Sequence, residues 1–120
     1  MKNVILTFLL LFLSVFAFAQ QPYSTTDKEA IKNYALANQA IDEHSYPEAI
    51  DLLKKAINAD DKFIEAHAQL GDLMHLTKNN KGAIDEFKKV IALNPDFSRA
   101  VYSKVADMEI SEAQYQDAMK

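Results

Sequence analysis

The sequence predicts an all-α chain built from stacked helical hairpins, and three observations carry that expectation. Residues 47–66 and 81–100 are related at a spacing of 34 residues, pairing Ala49 with Ala83, Ile50 with Ile84, Asp51 with Asp85, Lys54 and Lys55 with Lys88 and Lys89, Ile57 with Ile91, Phe63 with Phe97, and Ala66 with Ala100. Within both copies the apolar residues recur at helical spacing. No stretch shows the period-two alternation that a half-buried strand requires. A fixed period of this size marks units that cannot bury their apolar faces alone and do so only against their neighbours. Such a stack offers a surface to partners before it offers a place for chemistry.

The elements follow in order along the 120 residues. Residues 1–19 read as a secretory leader: Lys2 gives a positive start, Val4 to Phe18 is apolar apart from Thr7 and Ser14, and Ala17-Phe18-Ala19 supplies a small-x-small cleavage site before Gln20. The apolar run falls short of the ~20 residues that cross a bilayer, so an uncleaved leader is the sole membrane contact expected. Residues 20–26, with Pro22 and a Ser-Thr-Thr run, read as a linker, and residues 27–120 as the folded domain. Thr26 with Glu29 forms a capping-box pattern, so a first helix is expected from Asp27 to about Glu43. Ser45 with Glu48 repeats the pattern and Pro47 suits a first turn, so a second helix opens near Tyr46, with Ala49, Ile50, Leu53, Ala56 and Ile57 on one face. A third is expected over about Lys62–Thr77, closed by Lys78-Asn79-Asn80. The fourth repeats the second through Ala83, Ile84, Phe87, Val90 and Ile91, and stops at Asn94-Pro95 because proline disfavours helix at the residue before it. A fifth is expected from about Ser98 to Ser111, then a turn at Ala113-Gln114 and a short sixth helix from Tyr115.

Charge and composition narrow the function. The formal charge is −4; removing residues 1–19 takes Lys2 and no acid, leaving −5. With no basic stripe to offset this acidity, nucleic acid is not an expected partner. The chain has no cysteine, which excludes disulfides and the form of bacterial export that acylates a cysteine after the leader. Stability must come from packing.

The repeat resembles the tetratricopeptide family, whose unit of 34 residues places an aromatic, Leu-Gly and Tyr on its first helix and Ala, Phe and Pro on and after its second. Leu70-Gly71, Met74, Ala83, Phe87 and Pro95 match the pattern in the middle unit, with His67 at the aromatic site. Leu36-Ala37, Ala40, Ala49, Leu53 and Asp61 give a looser first unit, with Asn33 at the aromatic site. Tyr102, Val105-Ala106, Glu109 and Ala118 give a third, reached through one extra residue between Phe97 and Tyr102. The resemblance implies a short right-handed solenoid of about two and a half repeats, at about 30–63, 64–98 and an incomplete 99–120. It also implies that Ala37, Gly71 and Ala106 face Ala49, Ala83 and Ala118 so that paired helices approach closely. The run from Phe63-Ile64-Glu65-Ala66 through Tyr115 is also similar to the repeat region that precedes propeller and peptidoglycan-binding domains in some Gram-negative envelope proteins; neither later domain is in this sequence.

The family's implied function is protein or peptide binding in a groove lined by the first helices. The groove candidates are Tyr34, Asn38, Ile41 and Asp42 from the first unit, Glu65, Ala68, Asp72 and His75 from the second, and Ser103, Asp107 and Ile110 from the third. Asn38, Asp72 and Asp107 hold one site in successive repeats, either as a binding column or as a solvated helix face. Relatives that clamp a terminal carboxylate need Lys where Tyr34 stands, which argues against that partner class. Asp72 and His75 lie three apart on one helical face but supply at most two ligands, where a closed metal site needs three or four. His67 is expected in the core and His44 in a turn. With only Gly71 and Gly82 there is neither a nucleophile elbow nor a phosphate-cradling loop. No enzyme activity, metal or cofactor is expected. The reading is an exported interaction or scaffolding module of the periplasm or cell envelope; its rivals are a self-associating segment of an envelope assembly, dimerising through the C-terminal end, and a hydrolase of envelope polymer.

Overall fold

The structure is a computed structural model that describes residues 22–96 and 99–120. The expected leader, Gln20, Gln21, Phe97 and Ser98 lie outside the described residues. Five helices and no strand are found among the described residues: α1 (Lys28–Asp42), α2 (Tyr46–Ala59), α3 (Ile64–Leu76), α4 (Asn80–Leu93) and α5 (Arg99–Ala118). Each packs on the next in chain order, so α1–α2 and α3–α4 form two hairpins and α5 leans on α4. This is an all-α helical repeat solenoid, as the period predicts.

The repeat reaches into the turns. α1 and α3 both end in a Schellman motif, with His44 and Lys78 in the left-handed region at φ 59° and 68°. His44 N–H donates to Ile41 O and Ser45 N–H to Ala40 O; Lys78 N–H donates to His75 O and Asn79 N–H to Met74 O. These bonds satisfy carbonyls that the helix leaves open, though neither turn has the glycine that usually fills the position. The second helices end alike: Asp60 accepts from Lys62 N–H and Asn94 from Asp96 N–H through their side chains, at 3.0 and 3.1 Å. Asp60 and Asn94 are one repeat apart.

The starts differ from expectation. α1 is capped by Asp27, whose carboxylate accepts from Ala30 N–H at 2.8 Å, rather than by Thr26. The box expected from Ser45 and Glu48 does not form, because the Schellman turn fixes Ser45 by its backbone and its side chain makes no cap bond. Asn79, expected only to close α3, caps α4 by accepting from Gly82 N–H at 3.0 Å.

The core falls into two linked clusters. Ala30, Ala37, Ala49, Leu53, Ala56, Phe63, Ala66 and Leu70 fill the first, and Ala83, Phe87, Val90, Val101, Val105 and Met108 the second. Met74 packs against both. The small residues have the expected mechanical role at the second hairpin: a Cβ on Gly71 would stand 3.0 Å from the Phe87 ring, a contact so tight that the ring would have to give way.

The third unit departs from the family register. α5 runs unbroken for 20 residues, so the turn expected at Ala113-Gln114 and the sixth helix do not exist. No glycine or proline interrupts residues 99–118, and Glu112, Ala113 and Gln114 are good helix formers. Gln116 also donates to Glu112 one turn back at 3.2 Å. Ala106 and Ala118 therefore share one helix and cannot face each other. Val101, Val105 and Met108 are buried against α4, whereas Tyr115 and Met119 are 58% and 69% exposed.

Candidate peptide-binding groove

The first helices α1, α3 and α5 are tied to one another by a recurring polar bridge. Gln69 on α3 donates its amide to Asn38 on α1 at 2.6 Å, and Lys104 on α5 donates to Asp72 on α3 at 2.7 Å. Asn38 and Asp72 are 34 residues apart; Gln69 and Lys104 are 35 apart, which is the period plus the one extra residue before Tyr102. Each unit thus reaches back to the same site of the unit before it. Asp107 is the third member of that column, and its carboxylate has no hydrogen-bond or ion-pair partner among the described residues.

A pocket of about 420 Å³ opens between α3 and α5. Asp72, His75, Asn80, Lys104, Asp107 and Ser111 form its rim, and Phe87 and Met108 its apolar floor. The side chains of Asp72 and Lys104 are about half exposed, so their bridge contributes little to stability and leaves both groups in reach of a ligand. Lys104 also lies 5.3 Å over the Phe87 ring, where the ring quadrupole attracts a cation. His75 Nδ1 is 2.9 Å from Asn80 Oδ1, which orients the imidazole at the pocket's edge.

The other half of the same face is already covered. Tyr34 and Glu65 contact the chain's own residues 23–25 there. Burial, with Tyr23 and Glu65 nearby, raises the Tyr34 phenol above its ordinary value. Ile41 is partly buried against the first core cluster and Asp42 is exposed beside the end of α1, so neither joins the pocket. Ala68 packs on the second cluster, while Ser103 and Ile110 are exposed. The structure therefore gathers Asp72, His75 and Asp107 into one pocket, sets Tyr34, Asn38 and Glu65 in a second region, and leaves Ile41 and Asp42 in neither.

Sequence reasoning missed Gln69, Asn80, Phe87, Lys104, Met108 and Ser111 as groove residues. Gln69 and Lys104 carried a usable signal, since each stands three residues before a member of the Asp72–Asp107 column. His67 is in the core as expected, but its ring nitrogens are bonded rather than merely packed, to Glu86 at 2.6 Å and to Asp61 O at 2.7 Å. No group of three or more metal-ligating side chains occurs among the described residues. No helix among them is long and apolar enough to cross a membrane.

Hairpins stacked through a shared core, with first helices presented on one face, define a helical-repeat interaction module. The chain belongs to the tetratricopeptide repeat family: a sequence profile described as Tetratricopeptide repeat matches residues 40–108, more than half of the chain. Members of this family are typically interaction modules without catalytic activity. Solved structures share the fold. A crystal structure of MamA is similar over 78% of this chain and 54% of its own, at 22% identity and a TM-score of 0.67. The first such domain of Spaghetti (RPAP3), bound to the HSP90 peptide SRMEEVD, is similar over 78% of this chain and 74% of its own, at 19% identity and a TM-score of 0.66. A tetratricopeptide repeat domain protein from Salinibacter ruber is similar over 68% and 92%, at 20% identity and a TM-score of 0.55. The chain spans about half the length of MamA. No curated protein sequence matches this chain significantly.

Proposed function

We propose that this chain holds an extended segment of a partner protein in the pocket between α3 and α5, and that the segment carries a basic side chain. The observation that carries the reading is Asp107, a carboxylate on the rim with no internal partner, facing the same 420 Å³ space as Asp72 above an apolar floor. A guanidinium or ammonium could be met by the two carboxylates while its aliphatic stem lies on Phe87 and Met108. The HSP90 peptide bound by the Spaghetti domain is acidic, whereas the rim here sets two carboxylates, Asp72 and Asp107, against one ammonium, Lys104. The leader-like residues 1–19 support export, so the periplasm or cell envelope is the proposed setting and Gln20 the proposed first residue of the mature protein.

Asp107→Lys tests the pocket by reversing the charge of the carboxylate that has no internal partner. Envelope protein captured by the mature chain, whose intact mass also checks the start at Gln20, should be lost with Asp107→Lys while stability shifts by no more than about 0.5 kcal/mol, as befits an exposed site. Capture that survives the substitution would remove the pocket from the interaction.

A second reading is self-association through the C-terminal end, favoured by Ile110 and Tyr115 on α5 and Met119 just after it, which are 56%, 58% and 69% exposed. Sedimentation across a wide concentration range should then show a monomer–dimer shift that Tyr115→Glu abolishes. A monomer at every concentration would dismiss it.

A further inference from the structure

The segment between the leader-like residues and α1 reads as a linker, yet in the structure Tyr23, Ser24 and Thr25 lie across the first-helix face and bond to it as a ligand would. Ser24 N–H donates to both oxygens of the Glu65 carboxylate, at 3.0 and 3.3 Å, and its hydroxyl donates to Glu65 as well. The same hydroxyl accepts from Ile64 N–H at 2.9 Å. Ile64 opens α3, and the residue in the capping position there is Phe63, whose side chain cannot accept a hydrogen bond. Ser24 and Glu65 thus complete, from a site 40 residues away in sequence, the reciprocal pair of bonds that a capping box makes locally. The Tyr23 ring sits edge-on to Tyr34 at 5.4 Å and to Phe63 at 5.7 Å. Thr25 is buried, donates to Asp60 and accepts from Asp27 N–H at 3.1 Å.

Every element of peptide recognition is present: an aromatic side chain in an aromatic cleft, a backbone N–H on a carboxylate, and a hydroxyl read as both donor and acceptor. We propose that the surface formed by Tyr34, Phe63, Glu65 and the start of α3 is a second peptide site, specific for an aromatic residue followed by an unmodified Ser, and that residues 23–25 fill it in cis. Glu65 sets the preference. Its carboxylate rewards a donor hydroxyl and would repel a phosphorylated serine at the same place.

This deepens the groove reading by giving the covered half its own ligand chemistry, and it can stand or fall separately from the open pocket. Only Thr26 separates the seated residues from Asp27, the cap of α1, so the segment is held in cis at a high local concentration and the same residues bind more weakly in trans. The probe is the acetylated, amidated hexapeptide Gln-Pro-Tyr-Ser-Thr-Thr, corresponding to residues 21–26. In the chain carrying Tyr23→Ala and Ser24→Ala it should shift the backbone amide signals of Tyr34, Ile64 and Glu65 with saturation, and leave those of Asp72 and Asp107 in place. The parent chain should bind it at least tenfold more weakly, because its own segment competes. The phosphoserine form of the peptide should not bind, and adding Glu65→Gln should weaken the unmodified peptide at least tenfold. Ser24→Ala alone, which frees Glu65 and the Ile64 N–H but keeps the Tyr23 and Thr25 contacts, should bind the peptide more tightly than the parent and provides the readout if the double variant unfolds. No saturable shift in either variant, equal binding to the parent, or shifts centred on Asp72 and Asp107 would each overturn the proposal.

Discussion

Phe87→Ala should cost the domain about 3 to 5 kcal/mol, which approaches the whole stability of a small fold. The ring is 1% exposed and fills the space that Gly71 leaves by having no side chain, so its edge is the contact on which the α3–α4 hairpin closes. Val90 and Ala83 bury beside it, and Val101, Val105 and Met108 bring α5 onto the same cluster. Truncation would open a cavity at the junction of three helices, where relaxation on one side strains another. The ring is also the floor of the α3–α5 pocket and the face under Lys104, so the same change should alter binding there. Denaturant melts measure the cost; a loss below about 1 kcal/mol would mean that the ring does not hold the hairpin together.

How far the fold could be read in advance depended on whether its cause lay within one repeat or between repeats. The apolar face of α2 and α4 is a matter of spacing within one helix, and the period repeats it, so Leu53 and Phe87 are found where the pattern placed them. Helix ends were less legible. His44 and Lys78 adopt the left-handed turn without glycine, and nothing in either residue type announces it. Asp27 takes the capping role from its neighbour Thr26, and the Thr25 hydroxyl beside it bonds Asp60, a partner 35 residues distant. The unbroken α5 was hidden for the opposite reason: the family register demanded a turn where the local residues, Glu112, Ala113 and Gln114, favour helix. Local propensity prevailed because no second helix from that unit packs there among the described residues.

The groove was half legible for a related reason. The period, with one extra residue before Tyr102, placed Asn38, Asp72 and Asp107 in one column, and the structure keeps them there. What the column does was not visible, because Asn38 and Asp72 engage Gln69 and Lys104 across helices while Asp107 does not. One column therefore holds two kinds of residue, two that stitch units together and one whose carboxylate is open to a ligand. The Ser-Thr-Thr run had the composition of a linker, and only the fold brings Glu65 and Asp60 to it.

Glu86→Ala should be the second most damaging change, at about 1 to 3 kcal/mol near pH 5.5, because it leaves the buried His67 without its acceptor and the imidazole must then stay charged unpaired or give up its proton. His67 stands where the family pattern has an aromatic, and both of its ring nitrogens face acceptors, Glu86 Oε2 at 2.6 Å and Asp61 O at 2.7 Å. A neutral imidazole has one N–H and could satisfy only one of them, so the geometry calls for the imidazolium. Burial pulls the His67 pKa down, but the bonds to Glu86 and Asp61 and the Glu86 charge outweigh it and leave the value raised above 6.5. Burial likewise pushes Glu86 up, and its bonds to His67 and Lys89 outweigh that and leave it below 4.5. The groups facing the pair are Lys89 on α4, 2.9 Å from Glu86, and Asp60 and Asp61 in the turn before α3. The signs follow from linkage. His67, with its folded value raised, contributes stability that is complete below 6.5 and is lost as pH rises through the folded value; Glu86, with its folded value lowered, contributes stability that is complete above 4.5 and is lost as pH falls through its own. Both contributions are whole between 4.5 and 6.5, so the domain should be most stable there and should weaken on the alkaline side as His67 gives up its proton. The double change His67→Phe with Glu86→Leu restores the family's aromatic and removes both charges, and replacing a buried pair by apolar groups of similar volume is commonly neutral or stabilising. Urea melts at about pH 5.5 and about pH 8 should show the parent losing stability between the two while the double variant loses less. A parent profile as flat as that of the double variant would mean that His67 is neutral and that one of its two short contacts is not a hydrogen bond.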